Sequence, residues 1–230
     1  MNDLAVLYYN QGKYDKAEPL YIDCLNKRKE ISGENHPSTL ISMNNLAVLY
    51  YNQGKYDKAE PLYVDCLNKR KEILGENHPD TLRSMNNLAS LYNSQGKYDK
   101  AEPLYIDCLN KEKEILGENH PHTLISMNNL ASLYDSQGKY DKAEPLYIDC
   151  LNKKKEILGE NHPDTLSVMN NLALLYKKQG KYDKAEPLYI DCLNKNKEIL
   201  GENHPDTLNS MNNLALLYKN EGKYDKAEPL

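Results

Sequence analysis

The sequence predicts an all-α fold, a right-handed superhelical solenoid of antiparallel helix pairs. Three observations carry this: a 42-residue repeat, two helical hydrophobic stripes in each repeat, and glycines spaced every 21 residues. A unit recurring at fixed period is one supersecondary element that buries its apolar face only against its neighbours. The segment Met-Asn-Asn-Leu-Ala begins at Met43, Met85, Met127, Met169 and Met211, and a remnant of it opens the chain at Met1. Residues 43–84 and 85–126 differ at 7 of 42 positions, so one repeat serves for all.

In the repeat that follows Met43, Leu40, Met43, Leu46, Ala47, Leu49 and Tyr50 recur at the i, i+3, i+4, i+7 spacing of an amphipathic helix, here helix A, from Leu40 to Asn52. Gln53-Gly54 ends it, because glycine enters the left-handed region without a Cβ clash. A second stripe, Ala59, Leu62, Tyr63, Cys66, Leu67, Ile73 and Leu74, marks helix B from Asp57 to Leu74. Lys58, Asp65, Asn68, Lys69, Arg70 and Lys71 fall mostly opposite that stripe and read as its solvated face. Asp57 and Glu60 have the spacing of a capping box, which puts Pro61 near the fourth helical position, where it forfeits one backbone hydrogen bond at most. Gly75 closes helix B, and Glu76-Asn77-His78-Pro79-Asp80 leads into the next helix A, with Pro79 and Asp80 suited to its first turn. A turn this short between A and B makes the pair antiparallel.

Residues 1–230 therefore read as a single array of about five and a half repeats, cut at both ends. Met1 aligns with Met43 and Leu230 with Leu62, and no polar capping helix covers either end. The expectation is a fragment of a longer array, or ends that stack head to tail, so self-association is expected.

Composition excludes several classes of function. Net charge is −5, from 29 basic and 34 acidic residues interspersed along the chain, which leaves no basic stripe for a phosphate backbone and argues against a nucleic-acid partner. No apolar run approaches the roughly 20 residues of a membrane span, no signal peptide opens the chain, and no glycosylation sequon occurs. A cytoplasmic location and no membrane partner are expected. The cysteines Cys24, Cys66, Cys108, Cys150 and Cys192 recur once per repeat, about 8 to 10 Å apart if helices stack, beyond disulfide reach. They read as small buried apolar groups in a reducing compartment.

The run Asn45-Leu46-Ala47-x-Leu49-Tyr50-x-x-Gln53-Gly54-Lys55-Tyr56-x-x-Ala59-Glu60-Pro61-Leu62-Tyr63 resembles the tetratricopeptide repeat of the kinesin-light-chain type, whose 42-residue period it shares. The resemblance covers the whole chain. Cys66 stands where the motif has a small alanine, and Met43 where it starts with a large aromatic. The extra eight residues over the ordinary repeat of 34 lengthen helix B through Leu74 and enlarge the Gly-Glu-Asn-His-Pro connection. The heptad segment by which light chains join their motor is missing, so the resemblance implies the repeat architecture and not a motor role.

The resemblance also implies that helix A lines a concave groove and that the asparagine ladder Asn45, Asn87, Asn129, Asn171 and Asn213 holds the main chain of an extended ligand. The chemistry agrees, since each carboxamide offers two donors and an acceptor. Around the ladder the repeats differ: Ile41, Arg83, Ile125, Ser167 and Asn209; Val48, Ser90, Ser132, Leu174 and Leu216; Tyr51, Asn93, Asp135, Lys177 and Lys219. This stripe grades from aromatic and polar to lysine, and suits a protein or peptide ligand with acidic residues at one end. Neutral drift at exposed positions is the competing reading, and a structural, self-assembling element without a specific ligand is the rival function. Asn44 and its equivalents are expected to bond helix to helix.

No catalytic residue is expected. Nucleophile–base pairs, carboxylate pairs and phosphate loops are missing, and anything catalytic would recur in every repeat. Glu76-x-His78-Pro79-Asp80 gathers possible metal ligands, but turn and capping roles account for them and no zinc spacing occurs, so neither metal nor cofactor is expected.

Overall fold

The computed structural model describes residues 2–229; Met1 and Leu230, on which the alignment of the chain's ends rests, lie outside the described residues. Among the described residues there are twelve helices: α1 (Asn2–Asn10), α2 (Tyr14–Ser32), α3 (Pro37–Asn52), α4 (Tyr56–Leu74), α5 (Pro79–Ser94), α6 (Tyr98–Leu116), α7 (Pro121–Ser136), α8 (Tyr140–Leu158), α9 (Pro163–Lys178), α10 (Tyr182–Leu200), α11 (Pro205–Glu221) and α12 (Tyr224–Ala227). Odd numbers are A helices and even numbers B helices. Residues 1–115 and 116–230 each form a compact unit. In the first, α1 packs on α2, α2 on α3, α3 on α4 and α4 on α5; in the second the same chain of contacts runs from α7 to α12, and α7 also touches α9.

Helix A begins three residues before its apolar stripe because a histidine caps it. His78 Nδ1 accepts the backbone N–H of Asp80 at 3.1 Å, and Pro79 supplies the first helical residue. His36, His120, His162 and His204 cap α3, α7, α9 and α11 in the same way, so the loop histidines are spent on helix starts. Thr165 secures the same corner, donating its hydroxyl to Gly159 O at 2.9 Å.

Helix B corrects the capping-box expectation. Its N-cap is Lys55, with no side-chain cap, and Asp57 lies one residue inside the helix. Glu60 instead accepts from the following repeat, with Lys97 Nζ at 3.0 Å and Gln95 Nε2 at 3.4 Å. With Tyr56 first, Pro61 is the sixth helical residue, and the helix runs through it to Leu74.

The two glycines of a repeat do different work. After α3, Gly54 has φ +71°, Lys55 N bonds Tyr50 O at 2.9 Å and Gly54 N bonds Tyr51 O at 3.0 Å, the paired bonds of a Schellman end. After α4, Gly75 combines φ +90° with ψ 162°, a region essentially restricted to glycine. Asparagine at position 54 is therefore expected to cost less than about 1 kcal/mol and at position 75 about 1–3 kcal/mol, as urea titration of G54N and G75N reads out.

The core repeats with the sequence. Ala47, Leu49, Ala59, Leu91, Ala101, Leu133 and Ala143 are fully buried, the alanines letting neighbouring helices approach closely. All five cysteines are buried and free. Burial raises the Cys150 thiol to about 11, so it stays protonated, and Cys150 Sγ lies 3.3 Å from Leu124 O.

One expectation about helix B fails. Arg70, assigned to the solvated face, is 2% exposed, and Glu112, Lys154 and Asn196 at the equivalent positions are buried as well. Arg70 follows Tyr63, Cys66 and Leu67 at helical spacing and so points at the next A helix, where Nη1 donates to Asp80 O at 2.9 Å and Ser84 Oγ at 2.7 Å.

Candidate peptide-binding face

In the first unit the exposed side of the A helices carries two shallow cavities. The one between α1 and α3, about 180 Å³, has Val6, Tyr9, Asn45 and Val48 at its rim and Tyr21 of α2 at its floor. The next, between α3 and α5, is about 210 Å³, with Val48, Tyr51, Asn87 and Ser90 around Tyr63 of α4. Each therefore has an aromatic floor from helix B and a carboxamide from the asparagine ladder at its edge.

The tyrosine floor is tuned by the residue above it. Ser90 Oγ lies 2.7 Å from Tyr105 OH, which satisfies that hydroxyl. In the second unit Leu174 occupies the equivalent of Ser90, and the Tyr189 hydroxyl is buried without a partner. Burial drives the phenols of Tyr63, Tyr105, Tyr147 and Tyr189 far above their usual pKa, so all four are neutral donors at ordinary pH.

Within each unit polar side chains join neighbouring A helices at two levels. Asn87 Nδ2 donates to Asn44 Oδ1 at 2.9 Å, Asn171 to Asn128 at 3.2 Å and Asn213 to Asn170 at 2.9 Å. Further along the helices Tyr51 OH lies 2.9 Å from Ser94 Oγ, Asn52 donates to Tyr9 OH, and Lys178 Nζ bonds Asp135 Oδ2 at 2.7 Å.

Sequence comparison decides the family. The model described as tetratricopeptide repeat matches residues 1–72, 46–111, 86–156, 136–198 and 164–230, which together span the chain. The chain belongs to the tetratricopeptide-repeat family. No curated protein matches it by sequence. Among solved structures, BtubC (BKLC) from P. vanneervenii is 25% identical with a TM-score of 0.78, over 94% of this chain and 87% of that one. A Podosopora anserina structure titled with "kinesin light chain nearly identical TPR-like repeats" is 25% identical with a TM-score of 0.72, over 86% and 93%. A Rap protein complexed with Competence and Sporulation Factor, 14% identical, shares the fold with a TM-score of 0.73, over 99% and 70%.

Within this tetratricopeptide-repeat array the residues singled out from sequence fall on the A helices as follows. Asn45, Asn87, Asn129, Asn171 and Asn213 are half-buried. The ladder role expected of Asn44 alone is shared: where the pairs bond, one N–H of the position-45 carboxamide is used and its oxygen is left for other partners. Tyr51 and Asn93 are half-buried, Lys219 is exposed, and Lys177 is half-buried with its pKa lowered by burial and by the charge of Lys178. Asp135 is buried and its carboxylate is paired with Lys178, so it braces α7 against α9. Sequence reasoning missed the floor tyrosines as site residues, because their helix-B stripe reads as core; the signal was that Ser90 and Ser132 place hydroxyls toward them while Val48 and Leu174 do not. No helix among the described residues is long and apolar enough to cross a membrane, and no cluster of metal-binding side chains occurs among them.

Proposed function

We propose that the chain is a protein-interaction scaffold that binds an extended segment of a partner along the A-helix face of each unit. The observation that carries this is the pairing of a carboxamide rim with an aromatic-floored cavity, seen at Asn45 over Tyr21 and at Asn87 over Tyr63. The rim can hold main-chain amides while the cavities accept alternate side chains, the division of labour of extended-peptide recognition. In the second unit Lys177 and Lys219 bias the same face toward acidic ligand residues. The Rap protein's complex shows that a chain of this fold accommodates a bound factor.

The test is a display library of random peptides against the chain, against Asn87→Ala/Asn129→Ala/Asn171→Ala, and against Asn44→Ala/Asn128→Ala. The second variant breaks two of the same interhelical bonds but keeps the rim. Selected peptides are expected to bind the rim variant about ten- to a hundredfold more weakly and the second variant much as they bind the parent. Equal loss in both would reduce the ladder to a packing role.

A second reading rests on the last repeat. Met169 and Ala173 are fully buried, whereas Met211 and Ala215 are half-buried, Leu216 and Tyr224 are exposed, and a cavity of about 380 Å³ opens among Ala215, Leu216, Tyr224 and Ala227. We infer that another helix pair covers this face as α11 covers α9, and that a second copy of the chain can supply it, giving head-to-tail assembly. Sedimentation at rising concentration checks it: Leu216→Lys/Tyr224→Lys is expected to stay monomeric while the parent associates, and a monomeric parent ends this reading.

A further inference from the structure

Differences among the four repeats 43–84, 85–126, 127–168 and 169–210 are confined to a few places. Apart from Val64, which meets isoleucine in the other repeats, they fall at positions equivalent to 48, 51 and 52, on the A-helix face, and to 70, 80, 83 and 84. The structure gathers the second set around one point, the buried end of the position-70 side chain. Within the units the versions are Arg70 with Asp80 and Ser84, Lys154 with Asp164 and Val168, and Asn196 with Asp206 and Ser210, and the sequence has Glu112, His122 and Ser126 at the same positions of the remaining repeat. Drift does not explain a buried position that runs through arginine, glutamate, lysine and asparagine while the alanines, leucines and tyrosines around it stay fixed, since buried polar groups are costly unless matched.

Arg70 and Lys154 are buried and fill their own sites, whereas Arg28 in the first repeat is half-buried and borders a cavity of about 320 Å³. Arg28 Nη1 donates to Ser38 O at 2.7 Å, Arg70 Nη1 to Asp80 O and Ser84 Oγ, and Lys154 Nζ to Asp164 Oδ2 at 3.2 Å. In the second unit Asn196 is too short to do so. Its Nδ2 reaches Ser210 Oγ at 2.9 Å, Ser210 Oγ turns to Asp206 O at 3.0 Å, and a cavity of about 250 Å³ remains between α9, α10 and α11. Ser167 and Asn209, where other repeats carry Ile41, Arg83 or Ile125, leave its mouth open beside Asn213 on the A-helix face. Asp206 is the one acidic or basic side chain lining it among the described residues.

We propose that this cavity is a subsite for an arginine side chain of the partner. The guanidinium takes in trans the place that Arg70 takes in cis, beside the backbone carbonyl of Asp206 and the hydroxyl of Ser210, with the Asp206 carboxylate, the kind of acceptor that Lys154 uses, next to them. The volume is below the roughly 300–1,000 Å³ of sites for drug-sized ligands and suits a single side chain. Arginine is favoured over lysine because its fork reaches several acceptors at once, as Arg70 does. Position 209 lies ten residues before Lys219, about 15 Å along the helix, so an extended ligand can place a basic residue here and an acidic one over Lys219. The inference rests on the A-helix-face reading for its source of arginine, but the cavity itself is probed without a peptide.

The probe is L-argininamide, followed by the side-chain amide signals of Asn196, Asn209 and Asn213 in NMR titrations. Saturable shifts are expected, with binding at least about tenfold weaker for citrullinamide, which keeps the shape and removes the charge, and weaker for lysinamide. Asn196→Arg is expected to abolish binding and to raise the melting temperature, because the cavity is then filled as in the repeat of Arg70. Asp206→Asn, which preserves volume, is expected to weaken binding about tenfold. The assignment is overturned by unsaturable shifts, by equal binding of citrullinamide or lysinamide, or by undiminished binding in Asn196→Arg or Asp206→Asn. Selected peptides that bind without any need for arginine would sink this subsite and leave the proposed function standing; argininamide binding with no peptide selected would do the reverse.

Discussion

Arg70→Ala is expected to cost about 3 kcal/mol of stability, whereas Arg70→Met is expected to fall within about 1 kcal/mol of the parent. Alanine leaves a void between α4 and α5 and strands two groups that Arg70 now satisfies, Asp80 O and Ser84 Oγ. Methionine leaves the same two groups without Arg70, although Cys66 Sγ stays 3.8 Å from Ser84 Oγ, but it fills much of the void and brings no charge into the interior. The arginine is itself a compromise, since burying a cation against a carbonyl and a hydroxyl recovers only part of its hydration. Because repeat arrays unfold by nearest-neighbour units, the loss is expected to be local. Amide exchange measured along the chain should quicken in α4 and α5 of Arg70→Ala and leave α9 and α10 unchanged. Uniform quickening would mean that the repeats unfold as one body.

The same residue marks the limit of what the sequence discloses. Period, helix pairs, glycine ends and alanine contacts are legible because each is a local or recurrent signal: the register of Met-Asn-Asn-Leu-Ala, the stripe from Met43 to Tyr50, Gly54 and Gly75. Arg70 is misread because hydrophobic periodicity sorts residues by polarity, and a polar residue on the buried stripe is then assigned to water. Its spacing from Tyr63, Cys66 and Leu67 was the available clue. Glu60 is misread for a related reason. An acidic residue near a helix start satisfies the capping pattern, but its partners Gln95 and Lys97 lie in the next repeat, where no local rule looks. The candidate face is legible in outline, since Asn45, Asn87, Tyr51 and Asn93 fall on the A helices as expected. The use of Asn87 against Asn44, and of Asp135 against Lys178, depends on a 43-residue offset between neighbouring helices that only packing defines.

Alkaline unfolding is expected to be steep and to begin near pH 10. Tyr63, Tyr105, Tyr147 and Tyr189 are 2% exposed or less, one in each repeat, and desolvation raises each phenol well above its ordinary value of 10.0. A group whose folded pKa is raised contributes stability that is complete below its unfolded pKa. That stability is lost as pH climbs from there through the folded value, because the unfolded chain releases protons that the folded one retains. Each tyrosine then removes about 1.4 kcal/mol per pH unit from its own repeat, and because every one of these repeats carries such a tyrosine they all weaken over the same pH range. Buried thiols act in the same direction from lower pH, with Cys150 raised from 9.0 to about 11. Ion pairs such as Lys111–Asp107, whose carboxylate raises the lysine pKa, weaken only at higher pH still, and exposed pairs contribute at most about 1 kcal/mol each. The variant Tyr63→Phe/Tyr105→Phe/Tyr147→Phe/Tyr189→Phe separates the two causes, since it keeps the rings and the lysines. In the parent, tyrosinate absorbance and loss of helical circular dichroism are expected to rise together in one sharp transition; in the variant the helix is expected to persist to higher pH. A variant that unfolds at the same pH as the parent would transfer the effect from the buried phenols to the lysine network.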